Sequence, residues 1–304
     1  MILHLVHERV PPHAYFVGSA IFHYLGPAFA VLLFVRVEAL GVAWLRIASA
    51  ALVFAAWRRP WRALSLLDRP TLVAWGAVLA LMNCCFYLAI ERLPLATVAA
   101  IEFLPVVGLA ALGARTPRNA AALLLAVPGV YLLTGIQLEG EPLGVALAFA
   151  NAGLFALYIV LAHRAAQGAG VDALGLAMLI AAVVVTPLAG REALPAFADP
   201  VALLAGIGVG ISSSVIPYVF DQLAMARLAR ATYALLVSLL PATAAVIGVV
   251  VLGQVPSVVE AAGVTLVIAG VALHRAPAPA PAPAARPRSP RPSGRRSAPA
   301  RTRG

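Results

Sequence analysis

The sequence predicts an all-α integral membrane protein with ten transmembrane helices in two inverted five-helix repeats. Three observations carry that reading. Of 304 residues, 62% are hydrophobic and only 11% charged, with a mean hydropathy of +0.95, whereas a soluble domain carries about 25% charged residues. Apolar runs long enough to cross a hydrocarbon layer of about 30 Å recur along the chain between short polar breaks. Leu88–Ala99, LAIERLPLATVA, aligns without gaps on Leu223–Ala234, LAMARLARATYA, with seven of twelve positions identical at an offset of 135.

Residues 1–13, with His4, His7, Glu8, Arg9 and the pair Pro11-Pro12, are too polar for a cleavable signal peptide and form a retained N-terminal segment. Spans at 14–35, 38–57, 71–90, 94–114 and 119–136 make the first repeat, 14–136; spans at 142–162, 173–190, 200–225, 231–253 and 257–274 make the second, 142–274. Because five is odd, the second copy enters the membrane from the opposite side, the arrangement in which secondary transporters keep their sites near the midplane. The tail, 275–304, holds eight prolines and no apolar face, so it is expected to stay disordered and extended.

Arginine sets the orientation, since positively charged short loops stay cytoplasmic. Arg9, Arg58, Arg59, Arg62, Arg69, Arg115, Arg118, Arg164, Arg227, Arg230 and the eight from Arg275 onward fall on one side; Arg36, Arg92 and Arg191 fall on the other. Both termini are therefore expected in the cytoplasm, and the protein in the bacterial cytoplasmic (inner) membrane. The net charge of +10 does not mark a nucleic-acid binder: without the eight arginines of the tail it is +10 − 8 = +2. Cys84 and Cys85 are adjacent in an apolar helix and have no metal-ligand spacing.

Glu102 stands inside the apolar fourth span, just before Pro105. Insertion scales put an acidic side chain at a helix centre near +2.5 to +3.5 kcal/mol, so such a residue is a functional candidate; the alternative is a structural carboxyl, protonated and hydrogen-bonded to a neighbouring helix. Arg46 lies eight residues into the second span, the depth of Glu102 in the fourth, about 12 Å at 1.5 Å per residue. Equal depth predicts a pair, direct or across a wet cavity. The eighth span, GIGVGISSSVIPYVFDQLAMA from Gly206, is the most irregular. Pro217 removes a backbone donor, and Ser212, Ser213 and Ser214 are placed to bond freed carbonyls or a polar ligand. Asp221, one turn on, either takes part in function or reaches the interface towards Arg227. Asn83 and Tyr87 share a face of the third span. His23, Tyr24, Asn151, Tyr158, Tyr233 and Ser238 are weaker candidates, read first as interhelical hydrogen-bond partners. Gly26-Pro27, Pro105, Pro128-Gly129, Pro187 and Pro241 loosen their helices, with Pro105, Pro217 and Pro241 the expected hinges. No phosphate loop, catalytic constellation, metal cluster or cofactor motif is present, so an enzyme is not expected.

Four segments carry a resemblance: LRIASAALVFAAWRRPWR from Leu45, MNCCFYLAIERLPLATVAAIEFLP from Met82, LFALYIVLAHRA from Leu154 and SSSVIPYVFDQLAMARL from Ser212. Over about residues 14–275 the chain resembles the EamA-type members of the drug/metabolite transporter superfamily, and within it the threonine/homoserine exporter group. The resemblance implies two EamA-like repeats and a secondary active transporter that exports a small metabolite, an amino acid such as threonine or homoserine, by proton antiport. It places the polar motif at Arg46, Asn83, Tyr87, Glu102, Pro105, Tyr158, Pro217, Tyr218 and Asp221. Leu240 stands where those exporters carry a glutamate, and their span 1 lysine has no counterpart. The expected partners are a small-molecule substrate, protons and the lipid bilayer, with a homodimer left open. A drug or lipid-linked metabolite carrier of the same fold is a second reading. A membrane enzyme using Glu102 and Asp221 as acid and base is a third, disfavoured by their different depths.

Overall fold

Prolines repeatedly open the helices, at first-turn positions where their missing N–H would have been unpaired anyway. The computed structural model describes residues 11–58, 60–61, 64, 68–113, 116–138, 141–165, 170–225 and 240–273. Helices α1 (Pro12–Leu33), α2 (Ala39–Arg58), α3 (Arg69–Ile90), α4 (Leu95–Gly113) and α5 (Pro117–Leu138) are followed by α6 (Pro142–Ala165), α7 (Gly170–Ala189) and the short α8 (Leu194–Ala198). Then come α9 (Pro200–Gly210), a π-turn over Ile211–Val215, α10 (Ile216–Met225), α11 (Leu240–Leu252) and α12 (Val258–Leu273). Among the described residues there is no β-strand. Within the described residues, six helical stretches are long and apolar enough to cross a bilayer, with shorter apolar helices at Leu95–Pro105, Leu240–Leu252 and Val258–Leu273. Tyr233, Ser238, the start of the ninth expected span and the tail lie outside the described residues.

Side chains from the loops satisfy the helix ends. Asp68 accepts from the backbone N–H of Thr71 at 3.1 Å and from its hydroxyl. Asp199 caps α9, accepting from Val201 N at 3.0 Å and Ala202 N at 3.3 Å. It also accepts from Arg36 Nη1 at 2.7 Å, and the arginine and the capping amides hold its carboxyl below the usual carboxylate range. Glu192, in the loop after α7, is pushed the other way by partial burial and by the charges of Glu38 and Glu91. Ser257 and Glu260 form a capping box at α12, with bonds of 2.8 and 3.2 Å. Gly253, at φ +66, turns the chain after α11, and Gln254 Oε1 then accepts from Leu95 N at 3.1 Å.

Among the described residues, long-range side-chain bonds join residues before 139 to residues after 141. Ser19 Oγ donates to Pro217 O at 3.2 Å and Trp44 Nε1 to Thr186 Oγ1 at 2.9 Å. Arg58 pairs with Asp172 at 2.8 Å, and Arg118 Nε donates to Leu273 O at 2.6 Å. Packing follows the same rule. The most extensive contacts are α5 on α12 and α3 on α6, then α2 and α3 on α7 and α1 on α9–α10, with α4 set between α6 and α11.

Two large apolar clusters result, beside a small one of Phe16, Ala20 and Ala224. One includes Tyr24, Leu45, Phe86, Tyr87 and Val209; the other includes Ile47, Phe54, Trp75, Met82, Cys84 and Met178. Leu45 and Ile47 belong to different clusters, as do Cys84 and Phe86, so Arg46 sits on the seam between them. Val17, Leu52, Leu124, Val183, Leu204 and Val250 are exposed on the outside, as lipid-facing residues are.

Candidate functional site

Pro217 has no N–H, so the carbonyl of Ser213, one turn back, loses its helical donor. The chain adapts in two ways. The helix widens into the π-turn, in which Ile216 N–H reaches back to Ile211 O, a form often found at functional sites. Arg46 of α2 then supplies the missing donors: Nη2 donates to Ser213 O at 3.2 Å and Nε to Ser214 Oγ at 3.0 Å. Its guanidinium lies 5.5 Å from the centre of the Tyr87 ring, within cation–π range. Arg46 is 7% exposed, and Tyr87 and Ser213 are fully buried. The Tyr87 hydroxyl and Ser213 Oγ are both buried without a hydrogen-bond partner.

Two glycines allow this close approach. A Cβ at Gly210 would overlap Ser49 Oγ and lie 2.7 Å from Arg46 O; one at Gly26 would overlap Ser213 Oγ and lie 2.9 Å from Ser213 N. Ser49 is fixed by its own bond to Leu45 O at 2.6 Å, so it cannot swing aside freely. Gly26, read from sequence as a loosening position, is therefore a packing position. Gly210→Ala is expected to destabilise the protein by about 1–3 kcal/mol, as overpacking does. Thermal melting in detergent checks this, and an unshifted midpoint would refute the close approach.

The second charge is handled separately. Glu102 on α4 is half-buried, and its Oε1 accepts from Asn151 Nδ2 of α6 at 3.2 Å. Asn151 is fully buried, and its Oδ1 has no partner. The expected direct pair of Arg46 with Glu102 is not formed. The two residues are each the eighth of their helix, as depth alone predicted, but α2 packs on α7 and α9 while α4 packs on α6, α11 and its neighbour α5. They remain within electrostatic reach of one another.

Tyr218 on α10 lies within electrostatic reach of Arg46, Asp221 and Glu102, and it packs with Tyr158 against the second apolar cluster. Tyr158 also stacks on Phe155, with ring centres 6.2 Å apart. Asp221, one turn beyond Pro217, is half-buried and faces His23 and the two tyrosines electrostatically. Asn83 donates to Leu79 O at 2.8 Å in its own helix, which ties its amide nitrogen down. Pro105 lies within α4, and Pro241 is buried in α11. Cys84 and Cys85 are free thiols. Sequence ranked Asn151 low; its one signal was an amide in an apolar span. The Arg46–Ser213 bond had a clearer one, a proline four residues after a serine and an arginine elsewhere in the membrane.

A family model, the EamA-like transporter family, matches residues 142–275. The threonine/homoserine exporter RhtA of Escherichia coli (strain K12) is 32% identical over 248 residues, which cover 80% of this chain and 84% of that protein. The chain belongs to the EamA-like transporter family. The protein of the same name from Salmonella typhimurium (strain LT2) is also 32% identical, over the same shares. A solved crystal structure of a protein superposes with a TM-score of 0.56 at 21% identity, covering 87% of this chain and 96% of that one; this likeness is one of fold. An EamA-like chain with these apolar helices is a multi-pass membrane transporter and not an enzyme.

Proposed function

We propose that this chain is a secondary active exporter of a small amino acid, threonine, homoserine or a close relative, coupled to proton antiport across the bacterial cytoplasmic membrane. One observation carries the reading: the membrane interior holds a cation and a carboxylate that do not pair, each beside an orphaned polar group. Arg46 has the unpartnered Tyr87 hydroxyl and Ser213 Oγ beside it, and Glu102 has the unpartnered Asn151 Oδ1. The first set suits a carboxylate, which accepts from guanidinium and hydroxyl donors; the second suits an ammonium group, which only donates. Asn83, Tyr158, Tyr218 and Asp221 complete the polar lining, and Glu102 exchanges the proton. The names of the RhtA relatives point to the same substrates.

The architecture in this reading is ten membrane-crossing helices in two inverted repeats, 14–136 and 142–274, with both termini cytoplasmic. The packing supports it. Exchanging α1–α5 for α6, α7, α9–α10, α11 and α12 carries the α3–α6 contact onto α1 with α9–α10, α3–α7 onto α2–α9, and α4–α6 onto α1–α11; α2–α7, α4–α11 and α5–α12 map onto themselves. Pro105, Pro217 and Pro241 act as the hinges.

Uptake of labelled threonine and homoserine into inside-out vesicles with an imposed pH gradient tests the proposal. Gradient-dependent uptake that a protonophore collapses is expected. Uptake of neither amino acid, with accumulation of a lipid-linked or drug-like solute instead, would replace this reading with a carrier of the same fold.

A further inference from the structure

We propose that His23 reads the side-chain hydroxyl of the exported amino acid. The inference rests on the amino-acid reading above and adds a third recognition arm to it. His23 Nδ1 is buried with no hydrogen-bond partner, a costly state unless a ligand supplies one.

Its position suits that ligand. His23 lies one turn before Gly26 on α1, and Gly26 backs directly onto Ser213. The imidazole meets the Tyr218 ring edge-on at 6.1 Å, and Tyr218 follows Ser214, the acceptor of Arg46, by four residues. His23 and Tyr218 therefore share a level about 5.4 Å, one helical turn, to the Asp221 side of the Arg46 cluster. Pro27 cannot donate to the His23 carbonyl, so α1 is polar in main chain and side chain at this turn. An α-amino acid held by its carboxylate at Arg46 and its ammonium at Glu102 and Asn151 has one arm left. In threonine or homoserine that arm ends in a hydroxyl two or three bonds from the α-carbon, which can both donate to and accept from an imidazole nitrogen. A site built to bond a hydroxyl rejects the isostere lacking it far better than an apolar pocket discriminates by size.

The test is competitive uptake into vesicles containing full-length wild type, His23→Phe or His23→Asn. Phenylalanine keeps a ring against Tyr218 and removes both nitrogens, and asparagine returns polar atoms near the place of Nδ1. Labelled threonine competes with valine, in which a methyl replaces the hydroxyl, and labelled homoserine with norvaline. Wild type is expected to prefer the hydroxylated member by about tenfold or more, His23→Phe to reduce the preference to within about twofold, and His23→Asn to keep part of it. If His23→Phe does not reach the membrane, His23→Leu carries the same expectation.

An unchanged preference in the apolar variant overturns the inference. So does a shift in the pH profile without a change in preference, because His23 would then serve proton coupling and not recognition. Wild type that carries none of the four amino acids defeats the amino-acid reading itself, an outcome distinct from the loss of the hydroxyl preference.

Discussion

Glu102→Gln is expected to lower gradient-driven amino-acid uptake into inside-out vesicles by about 10²-fold or more, the scale of losing a proton-transfer group, while the protein stays as stable as wild type or more so. The two halves of that result have separate causes. Glutamine keeps an oxygen that can accept from Asn151 Nδ2, so the bond between α4 and α6 survives. It removes the charge, whose cost at a helix centre is about 2.5–3.5 kcal/mol on insertion scales. What it cannot do is bind and release a proton. Undiminished uptake by the variant would take Glu102 out of the coupling role, and a fall in melting temperature would show that the carboxylate is structural.

Arg46→Ala is expected to cost both transport and stability, and Pro217→Ala should recover only the stability. Truncating the arginine strands the Ser213 carbonyl, at about 1–3 kcal/mol for a buried acceptor, and removes the anchor for the substrate carboxylate. A charged hydrogen bond is worth up to about 3 kcal/mol, so uptake should fall about 10²-fold. Alanine at 217 restores a backbone N–H within reach of Ser213 O, because the missing donor of Pro217 is what left that carbonyl to Arg46. The double variant should therefore melt above Arg46→Ala yet stay inactive, with a coupling of about 1 kcal/mol or more in the cycle. Strictly additive melting shifts would separate the two residues and refute the account of the π-turn.

Much of this was written in the chain, because a hydrocarbon layer imposes one dominant rule. The apolar runs mark their own helices, and α2 at Ala39–Arg58 and α3 at Arg69–Ile90 fall within two residues of the expected 38–57 and 71–90. The breakage of the eighth span was legible for a chemical reason: proline, glycine and serine each weaken a helical rung, and the π-turn forms where they coincide. Of the two ways equal depth allowed Arg46 to meet Glu102, directly or across a wet cavity, the direct pair is not formed. Sequence position gives depth along a helix but not which helix stands beside it, and helix order sends Arg46 to the π-turn and Glu102 to Asn151. The same gap hid Gly26 and Gly210, whose purpose is visible only once their neighbours are known.

The direction of the long-range bonds has a consequence for biogenesis. The described hydrogen bonds of Arg46 go to Ser213 and Ser214, that of Glu102 to Asn151, and the first turn of α4 receives Leu95's acceptor from Gln254. When the first 138 residues have left the ribosome, the nascent chain carries a cation and a carboxylate in apolar segments whose hydrogen-bond partners have yet to be translated. Each is a burden of about 2.5–3.5 kcal/mol on insertion scales. Those two segments are thus expected to settle only once α6 and then α9–α10 supply those partners. The second half supplies the hydrogen-bond partners that the polar groups of the first half need inside the membrane.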